Sequence, residues 1–366
     1  MKRRTQPMII FFISTLFYVA CSKDASLIEK QIDAPKAFGV WNDFSLSEPI
    51  IVDQSGVDMQ GYWPDGKISA VKEEGSEKFV LYWAENYSFR TEGNTPFPED
   101  QIDQLRPQNR VFGVGFNQIS DFTDAGSWFI GVHRLIDGRL AGFFHAESRW
   151  GSLTAFKSIG IAYSSDNGRT WTKGEKILNV NYTKPREARW SGLGDGCVVY
   201  NEDRQQFICY YSANIEGEDY KICMAASDDP YGSPDTWKKW DGRNFTIDGY
   251  DSETGIGGVD HKLAGLTSQA GANPSVMWND FLKRWVMVYA GWNGVLYMSS
   301  SVDGITWEQP LAISKNAEET AGYPNLISEY GDLEGSKVVR LYYARNQNAA
   351  GVRQFAYRTI TYNEID

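Results

Sequence analysis

A strand pattern recurs along this chain at intervals that only a repeat architecture accommodates. It reads Val80-Leu81-Tyr82-Trp83-Ala84-Glu85, then Ala141-Gly142-Phe143-Phe144-His145-Ala146-Glu147, then Phe207-Ile208-Cys209-Tyr210-Tyr211-Ser212-Ala213-Asn214. Two further copies are Trp285-Val286-Met287-Val288-Tyr289-Ala290-Gly291-Trp292 and Val339-Arg340-Leu341-Tyr342-Tyr343-Ala344-Arg345. Each is β-branched and aromatic, reaches a small residue and ends on a polar or aromatic one, as a buried strand does. An earlier strand and a turn precede each copy, at residues 67–72, 128–135, 196–200, 274–278 and 324–328. A second motif lies between the hairpins: Ser164-Ser165-Asp166-Asn167-Gly168-Arg169-Thr170-Trp171 and, one residue shorter, Ser301-Val302-Asp303-Gly304-Ile305-Thr306-Trp307. An expanded copy runs from Ser227-Asp228-Asp229 to Asp235-Thr236-Trp237, so the three Trp residues are 66 and 70 residues apart. An Asp that accepts turn N–H groups, a Gly at positive φ and a Trp packed between sheets make physical sense as a hairpin turn. Helical periodicity is absent, and Gly and turn residues punctuate short strands throughout. Five hairpins at about 70 residues each predict an all-β fold, a five-bladed β-propeller of four-stranded antiparallel blades. A strand within residues 38–52 is expected to complete the last blade and close the ring.

The start of the chain reads as targeting rather than fold. Lys2, Arg3 and Arg4 precede an apolar stretch, residues 8–19, too short to span a bilayer. It ends in Tyr18-Val19-Ala20-Cys21, which resembles a bacterial lipobox, so residues 1–20 are the expected lipoprotein signal peptide and Cys21 the lipidated residue. Residues 21–37 are then a linker, and 38–366 a single propeller domain. The expected location is the bacterial cell envelope, periplasmic or at the cell surface, as a monomer that touches the membrane only through its anchor. A net charge of −11 excludes nucleic acid as a partner, since that needs clustered Lys and Arg. Cys197, Cys209 and Cys223 are an odd set with no disulfide framework, and read as small buried residues of adjacent strands. No His or Cys spacing suggests a metal, so no cofactor is expected; a Ca²⁺ on the propeller axis stays open, because oxygen ligands leave no spacing.

Strand parity points to a site. If first strands line the central channel and second strands return to the same face, the starts of the former and the ends of the latter meet at one rim. That rim collects Asp65, Glu85, Glu147, Asp195, Asn214, Asn273, Trp292, Tyr323 and Arg345. Crowded carboxylates against aromatic walls split their pKa values, as glycoside hydrolysis requires of its acid and its base. Trp63, Trp83, Trp150, Trp190 and Trp292 are neighbours in sequence able to stack on sugar rings. Glu147 is the expected general acid, with His145 tuning or orienting it; the alternative is a purely structural ion pair with Arg149 or another Arg. Asp195, between Gly194 and Gly196, is a base, a pKa modulator or a hydroxyl binder, or else a turn cap. Asp65, in Pro64-Asp65-Gly66, is a base or a plain turn residue. Asp260-His261 belongs to a rim loop or to plain surface. Arg345 and Arg353 either bind an anionic sugar group or tie blades together.

The organisation resembles the five-bladed furanosidase-like glycosidases, the arabinanases, β-xylosidases (family 43-like) and fructan hydrolases. The blade pattern carries it, with Ala272-Asn273-Pro274-Ser275-Val276, the strand Lys283-Arg284-Trp285-Val286-Met287-Val288-Tyr289 and the Ser-x-Asp-Gly-x-Thr-Trp turn, which is similar to the Asp-box of sialidases. The resemblance implies an Asp base, a second Asp and a Glu acid on successive inner strands. Asp65 matches the first; the second blade offers only Asp124 nearby, and the third has Asp195 where a Glu belongs. Sialidases themselves bring an early Arg-Ile-Pro segment and six blades, and neither is evident. The expected function is an exported glycoside hydrolase, inverting and acting on oligo- or polysaccharide; the alternative is a non-catalytic carbohydrate-binding lipoprotein.

Overall fold

All five aromatic segments form strands, and each is the second member of a four-stranded antiparallel meander. The first meander runs Ile68–Lys72, Phe79–Glu85, Tyr87–Gly93 and Arg110–Phe112. The second is Gly126–Arg134, Leu140–Arg149, Ala155–Ser164 and Thr172–Leu178. The third is Ser191–Asn201, Gln206–Asn214, Tyr220–Ser227 and Lys238–Trp240, extended by Phe245–Asp248. The fourth is Ala270–Asn279, Arg284–Gly291, Leu296–Ser301 and Leu311–Ala312. The fifth, Ala321–Ile327, Val338–Arg345 and Gln354–Glu364, takes its outer strand from the other end of the chain, Gly39–Leu46. That strand is the early one expected within residues 38–52. These are features of a computed structural model that describes residues 36–55, 57, 65–85, 87–113, 122–151, 154–215, 219–266, 270–314, 321–345 and 353–365. The expected signal peptide, Cys21 and Trp63 lie outside the described residues. Among the described residues there is no α-helix, only short 3-10 turns such as Pro98–Asp100, and none is long and apolar enough to cross a membrane.

Apolar side chains on both faces of each meander bury against its neighbours. Val80 and Tyr82 of the first pack with Phe129 and Phe144 of the second, Phe143 and Ile159 of the second with Val198 and Cys209 of the third. Val199 and Ile208 of the third meet Val276 and Trp285 of the fourth, whose Met277 and Val288 meet Leu326 and Leu341 of the fifth. Ile327 and Tyr342 of the fifth pack in turn with Ile68 and Trp83 of the first. Cys197, Cys209 and Cys223 are buried, unbridged members of neighbouring strands in the third meander, as expected.

The Ser-x-Asp turns seal these interfaces. Asp166 Oδ1 accepts the Arg169 and Thr170 amides at 3.1 and 2.9 Å, and Oδ2 the Thr170 hydroxyl at 2.6 Å. Chiefly through that hydroxyl bond, the Asp166 carboxyl falls to about 2. Asp303 accepts the Ile305 and Thr306 amides, both at 2.8 Å, and in the expanded copy Asp229 accepts the Ser233 amide at 2.8 Å. Each turn then presents its Trp to a second-strand ring of the preceding meander: Trp171 to Tyr82, Trp237 to Phe143 and Trp307 to Tyr210, with centroids 5.8, 5.5 and 5.7 Å apart. Burying the Trp237 and Trp307 rings is worth about 2–3 kcal/mol each, and the half-buried Trp171 ring less. Ser164 pairs with Leu140 while Lys157 pairs with Glu147, so this turn sits at the end of the sheet opposite Glu147.

Candidate active site where the first strands converge

The first strands of the meanders meet at one pocket. The first contributes Gly66 and Lys67, the second Trp128 and Ile130, the third Asp195 and Gly196, the fourth Asn273 and Pro274, and the fifth Tyr323 and Pro324. In the last three the same local distortion aims the side chain. Register slips between Gly194 and Gly196, between Ala272 and Ser275, and between Gly322 and Asn325 mark β-bulges. At their centres Asp195, Asn273 and Tyr323 have φ of 46°, 52° and 49°, left-handed values that non-Gly residues avoid. Asn273 and Tyr323 also precede Pro, which favours extended backbone and adds to the strain. Such conformations cost on the order of 1–3 kcal/mol each and persist where surrounding structure enforces them.

His145 is one enforcing group. Its ring is fully buried and stacked on Trp128 at a centroid distance of 4.5 Å and 15° between planes. The Asp195 amide donates to Nδ1 at 2.7 Å. Nδ1 therefore carries the lone pair, which leaves Nε2–H to donate to Glu147 Oε1 at 3.2 Å. One imidazole thus fixes the backbone of Asp195 and the side chain of Glu147. Gly194 permits this, since a Cβ there would stand 2.3 Å from Nδ1.

The carboxylates have unlike environments. Burial raises the Asp195 carboxyl, but the Lys157 ammonium, 2.7 Å from Oδ2, with further pulls from His145 and Arg353, outweighs it and holds Asp195 below the usual range. Burial also lifts Asp65, and there it prevails over the Arg353 guanidinium in contact with Oδ1 and the Tyr323 hydroxyl, leaving Asp65 above the usual range. For Lys157, burial pulls downward, yet Asp195, Tyr220 and Glu147 together push its pKa up. Lys67, at the pocket floor, faces Asp332 at 3.1 Å, with both side chains buried. No cluster of three His, Cys, Asp or Glu among the described residues is arranged to hold a metal ion.

Aromatic groups stand beside Asp195. Trp190 and Trp292 are 49% and 51% exposed, unusual for indoles in so well buried a chain. Lys157 Nζ lies 5.2 Å from the Trp190 ring and 5.5 Å from that of Tyr220, whose carbonyl accepts Trp292 Nε1 at 3.2 Å. The Tyr220 hydroxyl is buried with no hydrogen-bond partner among the described residues.

Of the candidate site residues, Asp65, Glu147, His145, Asp195, Asn273 and Tyr323 are thus at or beside the pocket, with Trp190 and Trp292 flanking it. Others are engaged elsewhere. Trp83 is fully buried and donates to Thr91 Oγ1 at 2.8 Å, so it is a core residue unable to stack on a sugar. Trp150 donates to the Pro185 carbonyl at 2.8 Å beneath Lys184. Asn214 accepts the Tyr182 hydroxyl at 3.1 Å. Asp124 accepts the Arg149 amide at 2.8 Å. Glu85 and Arg345 close their strands half-buried, outside the residues that line the pocket. Asp260 is buried against Lys239 at 2.7 Å and accepts the Tyr211 hydroxyl, a structural lock, while His261 is exposed. Sequence reasoning missed Lys157, Tyr220, Trp128 and Lys67. Lys157 did leave a signal, as the single charge in the apolar strand Ala155–Ser164.

No family model matches the chain, and no curated protein matches it. Solved structures share its fold. The inulosucrase of Halalkalicoccus jeotgali bound to kestose aligns with a TM-score of 0.51 and 11% identity over 86% of this chain and 82% of that one. A candidate exo-β-1,3-galactanase from Bifidobacterium bifidum s17 aligns with a TM-score of 0.50 and 12% identity over 84% of this chain and 94% of that one. At such identities the likeness is one of fold: this chain is an all-β protein built like those two.

Proposed function

We propose that this chain is a five-bladed β-propeller glycoside hydrolase, exported and anchored through Cys21, that cleaves glycosidic bonds of oligo- or polysaccharide with inversion. The observation that carries the reading is the pocket of the five first strands. Two largely buried carboxyls, Asp195 lining it and Asp65 beside it next to Gly66, are pushed to opposite sides of the ordinary range. Five antiparallel meanders, each packed on the next and the fifth on the first, support the blade count, although a short parallel pairing at Ser191 and Gly192 joins the second and third into one sheet. The two structures of like fold, an inulosucrase bound to kestose and a candidate exo-β-1,3-galactanase, support the substrate class.

In this reading Asp195, kept ionised by Lys157, is the base that activates water. Asp65, favoured in its protonated form by burial, donates to the leaving oxygen. That gives the donor role expected of Glu147 to Asp65, because Glu147 accepts His145 Nε2–H and is better suited to take a sugar hydroxyl. Trp190 and Trp292 stack on the sugar rings, and the Tyr220 hydroxyl donates to one of them.

A second reading, a non-catalytic carbohydrate-binding lipoprotein, is favoured by the ion pairs Asp65–Arg353 and Asp195–Lys157, which would serve equally as fixed hydroxyl acceptors. The deciding experiment is hydrolysis of aryl glycosides and oligosaccharides by wild type, Asp65→Asn, Asp195→Asn and Glu147→Gln, with the anomer of the first product read by NMR. Loss by about 10³-fold or more in both Asp variants, with folding intact, fits the hydrolase. An inert wild type that binds glycan gives the binding protein, and activity surviving both Asp substitutions removes the assigned site.

A further inference from the structure

Next to the strand ends that carry Glu147 and Lys157 lies a second cavity, of about 310 Å³. Glu147 pairs with Lys157 and Ala146 with Ser158, so alternation along these strands turns Ser148 and Ser158 to the opposite sheet face. The wall of the cavity is chemically one-sided. Lys176 and Lys184 share it with the hydroxyls of Ser148, Ser158, Thr183 and Thr254, and none of its described lining residues is acidic. In a chain with 47 Asp and Glu against 36 Lys and Arg, such a wall runs against composition.

Both ammonium groups are held in position. Lys184 Nζ donates to Ser148 Oγ at 3.0 Å and to the Arg149 carbonyl at 2.5 Å, both neutral oxygens. Burial lowers its pKa, and Asp124, the carboxylate that opposes this from outside the wall, is hydrogen-bonded to the Arg149 amide. Lys176 Nζ lies over the Phe122 and Tyr250 rings at 5.3 and 5.4 Å, a cation–π cradle. Exposed Arg186 and Arg189 follow in the next segment. Ammonium and hydroxyl donors around a volume at the lower end of the ligand-pocket range are the chemistry of an oxyanion carried on a small ring.

We infer that this cavity binds the anionic substituent of an acidic glycan, a sulfate ester or a uronate carboxylate, while the sugar that is cleaved lies across the mouth of the neighbouring pocket. The inference rests on the carbohydrate reading above. Substrate preference then comes from a charge contact separate from the acid and base.

The test is a binding titration of the full chain with a sulfated galactan oligosaccharide, an oligogalacturonate and a neutral galactan oligosaccharide of matched length. At least one acidic probe is expected to bind about tenfold or more tighter than the neutral one, a margin that shrinks as salt is raised. Preference for one acidic probe over the other identifies the anion. The margin is expected to vanish in Lys176→Gln/Lys184→Gln and to persist in Lys184→Arg, with the single Lys176→Gln deciding if the double variant does not fold. Equal binding of acidic and neutral probes, or a preference that survives these Gln substitutions, overturns the inference. Binding is read without catalysis, so an acidic preference in a chain that hydrolyses nothing sinks only the hydrolase. Hydrolysis of neutral glycans with no acidic preference sinks only this inference.

Discussion

Lys157→Met isolates the interaction on which the proposed base depends. In the wild type Lys157 Nζ stands 2.7 Å from Asp195 Oδ2, with the two side chains only 13% and 14% exposed. At an effective dielectric of about 20, opposite charges at that 2.7 Å separation attract by about 6 kcal/mol, which the desolvation of both ions largely offsets. Removing one partner leaves the other buried and uncompensated, and the expected loss of stability near neutral pH is about 3–5 kcal/mol. The pH dependence carries the sharper signature. Asp195 is depressed in the wild type, so its contribution is present above the unfolded value of about 3.9 and is lost as pH falls through the folded value. In the variant burial is opposed only by His145 and Arg353 and the carboxyl is expected to rise, so folding then favours the protonated form and stability falls as pH rises. The stability difference should therefore widen from about pH 4.5 to about pH 7. Urea denaturation followed by Trp fluorescence at both pH values measures it. A difference under about 1 kcal/mol near neutral pH, or one flat across the range, would refute the reasoning.

Four further outcomes follow from the same geometry. In Gly194→Ala the new Cβ meets His145 Nδ1 at 2.3 Å and Cε1 at 2.5 Å, and the ring cannot retreat because it is stacked on Trp128. A stability loss of about 1–3 kcal/mol and a collapse of kcat/KM are expected, and wild-type values for both would show that His145 is not a fixed strut. Asn273→Gly releases left-handed strain, so urea denaturation should show stability kept or raised by about 1 kcal/mol while sugar affinity falls; a large destabilisation would contradict the strain. The pH profile of kcat/KM should fall on the acid side as Asp195 protonates, below the usual Asp range, and on the alkaline side as Asp65 ionises, above it. Arg353→Met removes a downward pull on Asp65 and should move the alkaline limb up; a downward movement would take the donor role from Asp65.

Much of the architecture was legible because it rests on local chemistry. The five aromatic strands fall within one or two residues of their expected positions, and the turn motifs do what Ser, Asp, Gly and Trp at that spacing dictate. The candidate site was legible in part. Parity placed Asp65, Asp195, Asn273 and Tyr323 at one rim, but it also offered Asn214, which is tied to Tyr182, and nearness in sequence offered Trp83, which is core. Parity fixes which way a side chain starts; it says nothing of whether a neighbouring strand already covers it.

What the chain determined by itself is therefore the repeated unit: strand composition, turn chemistry and the period that sets one meander after another. Only the tertiary structure decided which carboxyl is held ionised and which is lifted. Those outcomes depend on Lys157, from a third strand, reaching Asp195, and on Arg353, 288 residues from Asp65, failing to offset its burial. The bulges at Asp195, Asn273 and Tyr323 belong to the same class. A left-handed residue is unfavourable locally, and it exists here because contacts made far along the chain enforce it.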